Sequence, residues 1–304
     1  PIPQQTNQPT PQFPTFAGMK GKIVCITGGS GGIGMATARS LAEMGATVIL
    51  AGRDETRGQE VAGQLQKATG SGEVYALPLD LASFASILHF AEAFQSRFPR
   101  LDVLINNAAV LTSWFQTTPE GFEQQIGVNY IGHFLLTREL LPLLKKAPAP
   151  RLINVSSGAH YSGKIDFDSF TRDVGNYQTM VAYGQSKLAN VLFTREHARR
   201  YPEIEAYCLH PGMVRTRIGN KRTNWLVSTV WSLLRPFIRS LDQGAQTSIY
   251  LASAENIPAE NGQYFDQNQQ ARRPSELALD DALAQELWER TEQLIDRRKM
   301  RDER

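Results

Sequence analysis

The chain has 304 residues, 32 basic and 30 acidic, a net charge of +2 and 41% hydrophobic residues. That balance excludes a disordered chain and gives no electrostatic footprint for nucleic acid. Two cysteines, Cys25 and Cys208, exclude a disulfide framework and a multi-cysteine zinc site; both fall in apolar runs suited to buried thiols in a reducing, cytoplasmic setting.

Residues 1–17 (PIPQQTNQPTPQFPTFA) are uncharged and rich in Pro, Gln and Thr, which predicts a flexible arm without a signal-peptide core. Lys22 to Thr27 reads as a buried strand, followed by a glycine cluster and a helix over 33–43 that stops at Gly45. Ala46 to Ala51 is a second strand, followed by a helix over 55–68. Glu73 to Leu79 is a third, and Ser83 caps a helix running to about Phe98. Leu101 to Ile105 is a fourth strand, before one long helix over 120–145 entered at Thr118-Pro119. Arg151 to Val155, a helix over 179–200, Glu205 to Leu209, a helix over 242–253 and a short strand Gln263 to Asp266 continue the alternation. An amphipathic helix over 275–295 closes the chain.

Strands alternating with helices of this length mean parallel βαβ units. The reading is one doubly wound α/β (Rossmann) domain over 18–270, with about seven parallel strands, and a helical extension over 271–304. Ligands of such sheets bind beyond the carboxyl ends of the strands, so the loops there carry the chemistry.

The first such loop is Thr27-Gly28-Gly29-Ser30-Gly31-Gly32-Ile33-Gly34. Glycines between a strand and a helix let the backbone approach a pyrophosphate, and the helix N-terminus supplies N–H groups and a positive dipole end. The end of the second strand selects the dinucleotide. Asp54 lies 20 residues after Gly34, the usual spacing for a ribose-binding acid. However, the strand ends near Ala51, so Gly52 takes the acid's place and Arg53 follows it. An arginine there accepts a 2′-phosphate, and Asp54 reads better as a helix N-cap. NADP(H) is therefore expected over NAD(H).

Tyr183 and Lys187 stand four residues apart on one face of a predicted helix. Ser157 ends the fifth strand and Asn129 lies in the preceding long helix. No metal site is expected, because His89, His133 and His197 fall in predicted helices without a ligand-like spacing partner. His160 could line the substrate cleft, and no histidine is assigned a catalytic role.

Thr27-Gly28-x-x-x-Gly32-x-Gly34, Asn106-Asn107-Ala108-Ala109, Asn129, Ser156-Ser157, Tyr183-x-x-x-Lys187 and Pro211-Gly212 occur in the order found in short-chain dehydrogenases/reductases. The chain resembles that family over about residues 19–270, and its Tyr183-Gly-Gln-Ser-Lys187-Leu-Ala-Asn-Val stretch resembles the retinol dehydrogenase-like branch. Ala109 departs from the family's usual glycine, a change between small residues.

The resemblance implies an oxidoreductase interconverting a carbonyl and an alcohol. Tyr183 would act as general acid or base and Ser157 would donate to the substrate oxygen. Lys187 would hold the nicotinamide ribose, and Asn129 a water linking Lys187 to solvent. An ordinary tyrosine has a pKa of about 10, and the Lys187 ammonium is expected to lower it. Thr27, Gly28, Ser30, Gly32, Ile33, Gly34 and Arg53 would line the cofactor, with Asp80 and Leu81 at the adenine and Asn107 beside the ribose. Pro211, Gly212, Val214 and Thr216 would hold its nicotinamide half.

Residues 215–241 and 158–180 would form the lid and wall of the substrate pocket. The apolar run Trp225 to Ile238 is too short and broken to span a bilayer. It suits a lid over a lipophilic carbonyl or alcohol, with core packing, an oligomer partner or shallow membrane docking as alternatives. By resemblance, the helices at 120–145 and 179–200 would pair between subunits of a dimer or tetramer. Two rival functions are an NAD-dependent alcohol dehydrogenase and a dinucleotide-binding redox sensor without turnover.

Overall fold

The protein is described from a computed structural model covering residues 18–71, 73–173, 175–214 and 239–302. The arm at 1–17, the lid candidate Trp225 to Ile238 and Thr216 lie outside the described residues.

Eight strands form one sheet: β1 (Ile23–Thr27), β2 (Thr47–Gly52), β3 (Val74–Pro78), β4 (Val103–Asn106), β5 (Arg151–Val155), β6 (Glu205–Leu209), β7 (Tyr264–Phe265) and β8 (Ala271–Arg272). Their order is β3-β2-β1-β4-β5-β6-β7-β8. Every neighbouring pair through β7 is parallel, and β8 returns antiparallel to β7. The eighth strand, beyond the seven expected, is two exposed residues. No periodicity can register in so short a segment. It is held instead by the Asp266 carboxylate, which accepts from the Asn268 and Gln270 N–H groups and from Arg272 Nε at 2.7, 3.1 and 2.9 Å.

The helices are α1 (Gly32–Glu43), α2 (Glu55–Thr69), α3 (Phe84–Arg97), α4 (Gln124–Ile126), α5 (Gly132–Leu144), α6 (Thr179–Arg200), α7 (Leu241–Ser253) and α8 (Asp281–Asp302). Side chains alternate across the sheet. Cys25, Ile49, Leu104, Leu152 and Cys208 face the α3, α5, α6 and α8 side. Val24, Ile26, Val48, Leu50, Val103 and Ile153 face α1, α2 and α7. Both cysteines are free and wholly buried, and burial pushes both thiols up.

Two expected helices differ in detail. The helix read over 120–145 begins at α4, where Glu123 accepts from the Gln125 and Ile126 N–H groups at 2.9 and 2.8 Å. It then passes through a π-helical turn, Gly127–Ile131, before α5. Such turns cluster at functional sites, and this one carries Asn129. The C-terminal helix begins at Asp281, after a separate 3₁₀ turn over Glu276–Leu279. It packs back on α5 and α6 through Trp288, whose ring lies 4.7 Å from Phe134 and 5.6 Å from Phe193. No described helix is long and apolar enough to cross a membrane.

Candidate active site

The glycine turn after β1 is shaped by contacts that exclude side chains. Gly28 and Gly32 have φ of +67° and +55°, the left-handed region that favours glycine. A Cβ on Gly34 would strike the Gly28 carbonyl oxygen and come within 2.7 Å of Asn107 Nδ2. The first turn of α1 therefore sits tight on the loop. Its N-cap, Gly31, provides no side-chain cap, and nothing lies within 4 Å of a Cβ at Gly32. Uncapped N–H groups at the helix N-terminus beside open space fit a pyrophosphate.

Thr27 is turned away from that space. Its buried hydroxyl accepts from the N–H groups of Asn107 and Ala108, each at 2.9 Å, and meets His133 Nε2 at 2.9 Å. His133 Nδ1 in turn meets the Asn129 carbonyl at 3.1 Å. The side chain of Thr27 is thus a joint between the loops after β1 and β4. Asn107 completes the joint with Nδ2 donating to the Thr27 carbonyl at 2.7 Å. Burial lowers the His133 pKa to about 4, so the ring is neutral in this chain of bonds.

At the end of β2, Asp54 caps α2, its carboxylate accepting from the Arg57 N–H at 3.0 Å. Arg53 is exposed and makes no hydrogen bond or ion pair among the described residues. After β3, Asp80 accepts from the Ala82 N–H at 3.0 Å, while the Leu81 side chain is buried in the core. After β6, Gly212 takes φ of +77° and Val214 packs against the first turn of α7 at Gly244.

Tyr183, Ser157 and Lys187 converge where β5 ends. The Ser157 side chain lies beside the Tyr183 phenol and acts to lower its pKa. Lys187 Nζ stands 5.6 Å from the centre of the Tyr183 ring and donates to the Val155 carbonyl at 3.0 Å. Lys187 is almost completely buried, and burial lowers its pKa to about 8. The Tyr183 pKa is raised, not lowered as expected: burial dominates and the Ser157 side chain only partly opposes it. The ammonium expected to lower it is occupied by a carbonyl and is itself pushed towards neutrality.

Asn129 is fully buried and braces this cluster. Its Oδ1 accepts from the Val110 N–H at 2.8 Å, and its Nδ2 donates to the Val110 carbonyl at 3.1 Å and to Ser186 Oγ at 3.0 Å. Its side chain ties the loop after β4 to α6 beside Lys187. The roles of His133 and Ser186 have no sequence signal, because their partners come from segments far apart in the chain.

A dinucleotide turn at the head of the sheet and a tyrosine–lysine–serine cluster beside it define a nicotinamide-dependent oxidoreductase. The chain belongs to the short-chain dehydrogenase family, whose model matches residues 22–226. It is retinol dehydrogenase-like. It is 41% identical to retinol dehydrogenase 14 of Homo sapiens over 295 residues, covering 91% of this chain and 87% of that protein. It is 44% identical to retinol dehydrogenase 12 of Mus musculus over 247 residues, covering 81% and 77%. Among solved structures, a protein from Mycobacterium paratuberculosis is 34% identical with a TM-score of 0.74, covering 92% of this chain and 95% of that one. A short chain dehydrogenase from Escherichia coli solved with NADPH is 25% identical with a TM-score of 0.65, covering 82% and 98%.

Proposed function

We propose that this protein is an NADP(H)-dependent reductase of a lipophilic aldehyde or ketone, the reverse oxidation being run by the same groups. The observation that carries the reading is the convergence of Tyr183, Ser157 and the buried Lys187 at the end of β5, with Lys187 Nζ 5.6 Å from the centre of the Tyr183 ring. A nicotinamide, when bound, supplies or accepts the hydride.

The protein's own part is the proton and the charge. A raised pKa keeps the Tyr183 phenol protonated at neutral pH, ready to donate from Oη to the substrate oxygen. The Ser157 hydroxyl donates to the same oxygen as negative charge grows there. Lys187 Nζ stands 5.6 Å from the centre of the Tyr183 ring, so the charge it keeps faces the phenolate that remains. Asn129, by holding Val110 and Ser186, keeps the cluster's walls in register.

Three observations support the finer points. Arg53 follows β2 and makes no hydrogen bond or ion pair among the described residues, and Asp54 is engaged as a cap. Gly32 leaves open space for a pyrophosphate at the start of α1, while Gly28 and Gly34 let the turn and the helix close on the loop after β4. Large exposed apolar side chains cluster on segments leading to the site: Trp114 after β4, Met180 and Val181 before Tyr183, and Met213 after β6. Several curated relatives are named retinol dehydrogenases, which makes retinal a first probe beside straight-chain aldehydes.

The test is calorimetric titration with NADPH and with NADH, followed by turnover of retinal and decanal by wild type and Tyr183→Phe. Tighter NADPH binding, with turnover lost in Tyr183→Phe while affinity is kept, is expected. Preference for NADH would favour an alcohol dehydrogenase with Asp54 at the ribose. Full turnover in Tyr183→Phe would remove that residue from the chemistry, and binding without turnover by wild type would favour a redox sensor.

A further inference from the structure

We infer that Tyr177 is a positioning residue for Tyr183: its hydroxyl ties the start of α6 to the buried Glu123 and to the loop after β4. The inference rests on the reductase reading above and adds to it a residue that no motif marks.

The first turn of α6 needs an outside hold. Its N-cap residue, Gln178, makes no side-chain cap bond. Tyr183 opens the second turn, so a shift of the first turn passes directly to the phenol. The hold comes from α4. Gln125 Nε2 donates to the Thr179 carbonyl at 3.1 Å, the same carbonyl that helical geometry gives to the Tyr183 N–H. That Nε2 also donates to Tyr177 Oη at 2.7 Å.

Tyr177 Oη uses every bonding site it has. It gives its proton to Glu123 Oε1 at 2.8 Å. Thr112 Oγ1, 2.9 Å away, must therefore donate to it. Burial, with the Glu123 carboxylate adding to it, pushes the Tyr177 phenol up to about 12, so the proton stays on Oη at neutral pH. Glu123 is itself 3% exposed and accepts two more bonds, from the Gln125 and Ile126 N–H groups. It thereby starts the short helix that runs into the π-helical turn carrying Asn129. One buried carboxylate thus sets the approach to Asn129 and, through Tyr177, the approach to Tyr183.

The same clasp joins two segments that bear exposed apolar side chains. Thr112 lies on the loop after β4 with Trp114, and Phe115 of that loop meets the Tyr177 ring edge-on at 6.0 Å. Met180 and Val181 follow Tyr177 on α6. Holding Thr112 to Tyr177 fixes the spacing of the side chains proposed to receive the substrate.

The test uses the full chain and counts turnover per NADPH-binding site, taken from calorimetric titration, so that misfolded protein does not enter the rate. Wild type, Tyr177→Phe, Thr112→Val and the double variant are compared on decanal with NADPH. Tyr177→Phe should lower kcat about 10- to 100-fold, the scale of a small misplacement of a reacting group, with NADPH affinity within about twofold. Thr112→Val removes one hydrogen bond of the clasp and should lower kcat about three- to tenfold. The double variant should be no worse than Tyr177→Phe, because both changes open one unit. An unchanged kcat per site in Tyr177→Phe overturns the inference, and so do losses that multiply in the double variant. If Tyr177→Phe binds no NADPH, Thr112→Val decides, and an unchanged kcat there overturns it. A wild type that binds NADPH yet turns over no carbonyl would instead bring down the reductase reading, and this inference with it.

Discussion

The buried ring of His160 links Ser157 to Ser275. Its Nε2 accepts from the Ser275 N–H at 3.2 Å, so Nδ1 carries the proton and donates to the Ser157 carbonyl at 2.8 Å. The C-terminal segment is thereby docked on the loop that bears the proposed oxyanion donor. His160→Leu is expected to lower kcat for decanal reduction about 10- to 100-fold, through misplacement of Ser157, with NADPH affinity unchanged. Steady-state kinetics beside a NADPH titration check this, and an unaltered kcat would show that the link is structural only.

Lys187 trades stability for function. Burial lowers its pKa from 10.5 to about 8. Between those values the unfolded chain binds more protons than the folded one, so stability rises with pH there and the cost is greatest below pH 8. Lys187→Met should remove a cost of about 3 kcal/mol at pH 7 and abolish turnover. Melting curves of both proteins at pH 7 and pH 10.5 test this. A higher Tm for the variant at pH 7 that disappears at pH 10.5 is expected, and a lower Tm at pH 7 contradicts it.

Gly34→Ala probes the fit of the turn to a pyrophosphate. The added methyl must displace the Gly28 carbonyl or Asn107 Nδ2, which lies 2.7 Å from the new atom. Since Asn107 and Thr27 hold the loops together, the shift spreads into the turn itself. Affinity for NADPH and for NADH should fall together, by about tenfold or more, as overpacking of about 1–3 kcal/mol implies. Selective loss of NADPH alone would argue that Gly34 does not border the shared pyrophosphate.

His197 should dominate acid sensitivity together with His133. Both ring nitrogens of His197 lack a hydrogen-bond partner among the described residues, and the ring is caged by Phe193, Tyr201 and Trp288 beside a cavity of about 90 Å³. Burial lowers its pKa from 6.5 to about 3. The unfolded chain therefore takes up the proton first, and stability is lost as pH falls below 6.5. His197→Phe should lose about 2 kcal/mol less than wild type between pH 7.5 and 5. Urea unfolding at the two pH values measures the difference; identical losses would place the acid sensitivity elsewhere.

Much of this protein is local information. The short, continuously buried runs of β1, β2 and β5, the cap at Asp54, the span of α6 from 179 to 200 and the order of the motifs are written in neighbouring residues. The positions of Tyr183, Lys187 and Ser157 were legible for the same reason, since each ends a strand or lies on one face of a helix. The π-helical turn at Asn129 and the strand β8 were not, because neither leaves a periodic trace in the residues that form it.

What the tertiary structure alone decided is how distant groups meet and how charged they are. Thr27 looks like a cofactor contact in the motif, yet residues about 80 and 106 positions away claim its hydroxyl. Arg57 Nε meets the Ser30 carbonyl only because folding lays α2 beside the glycine turn. The direction of the Tyr183 shift follows from its surroundings and not from the spacing to Lys187. Local sequence sets periodicity and capping, which act within a few residues. Pairing across the sheet ends and the desolvation of titratable groups depend on what the whole chain brings alongside them.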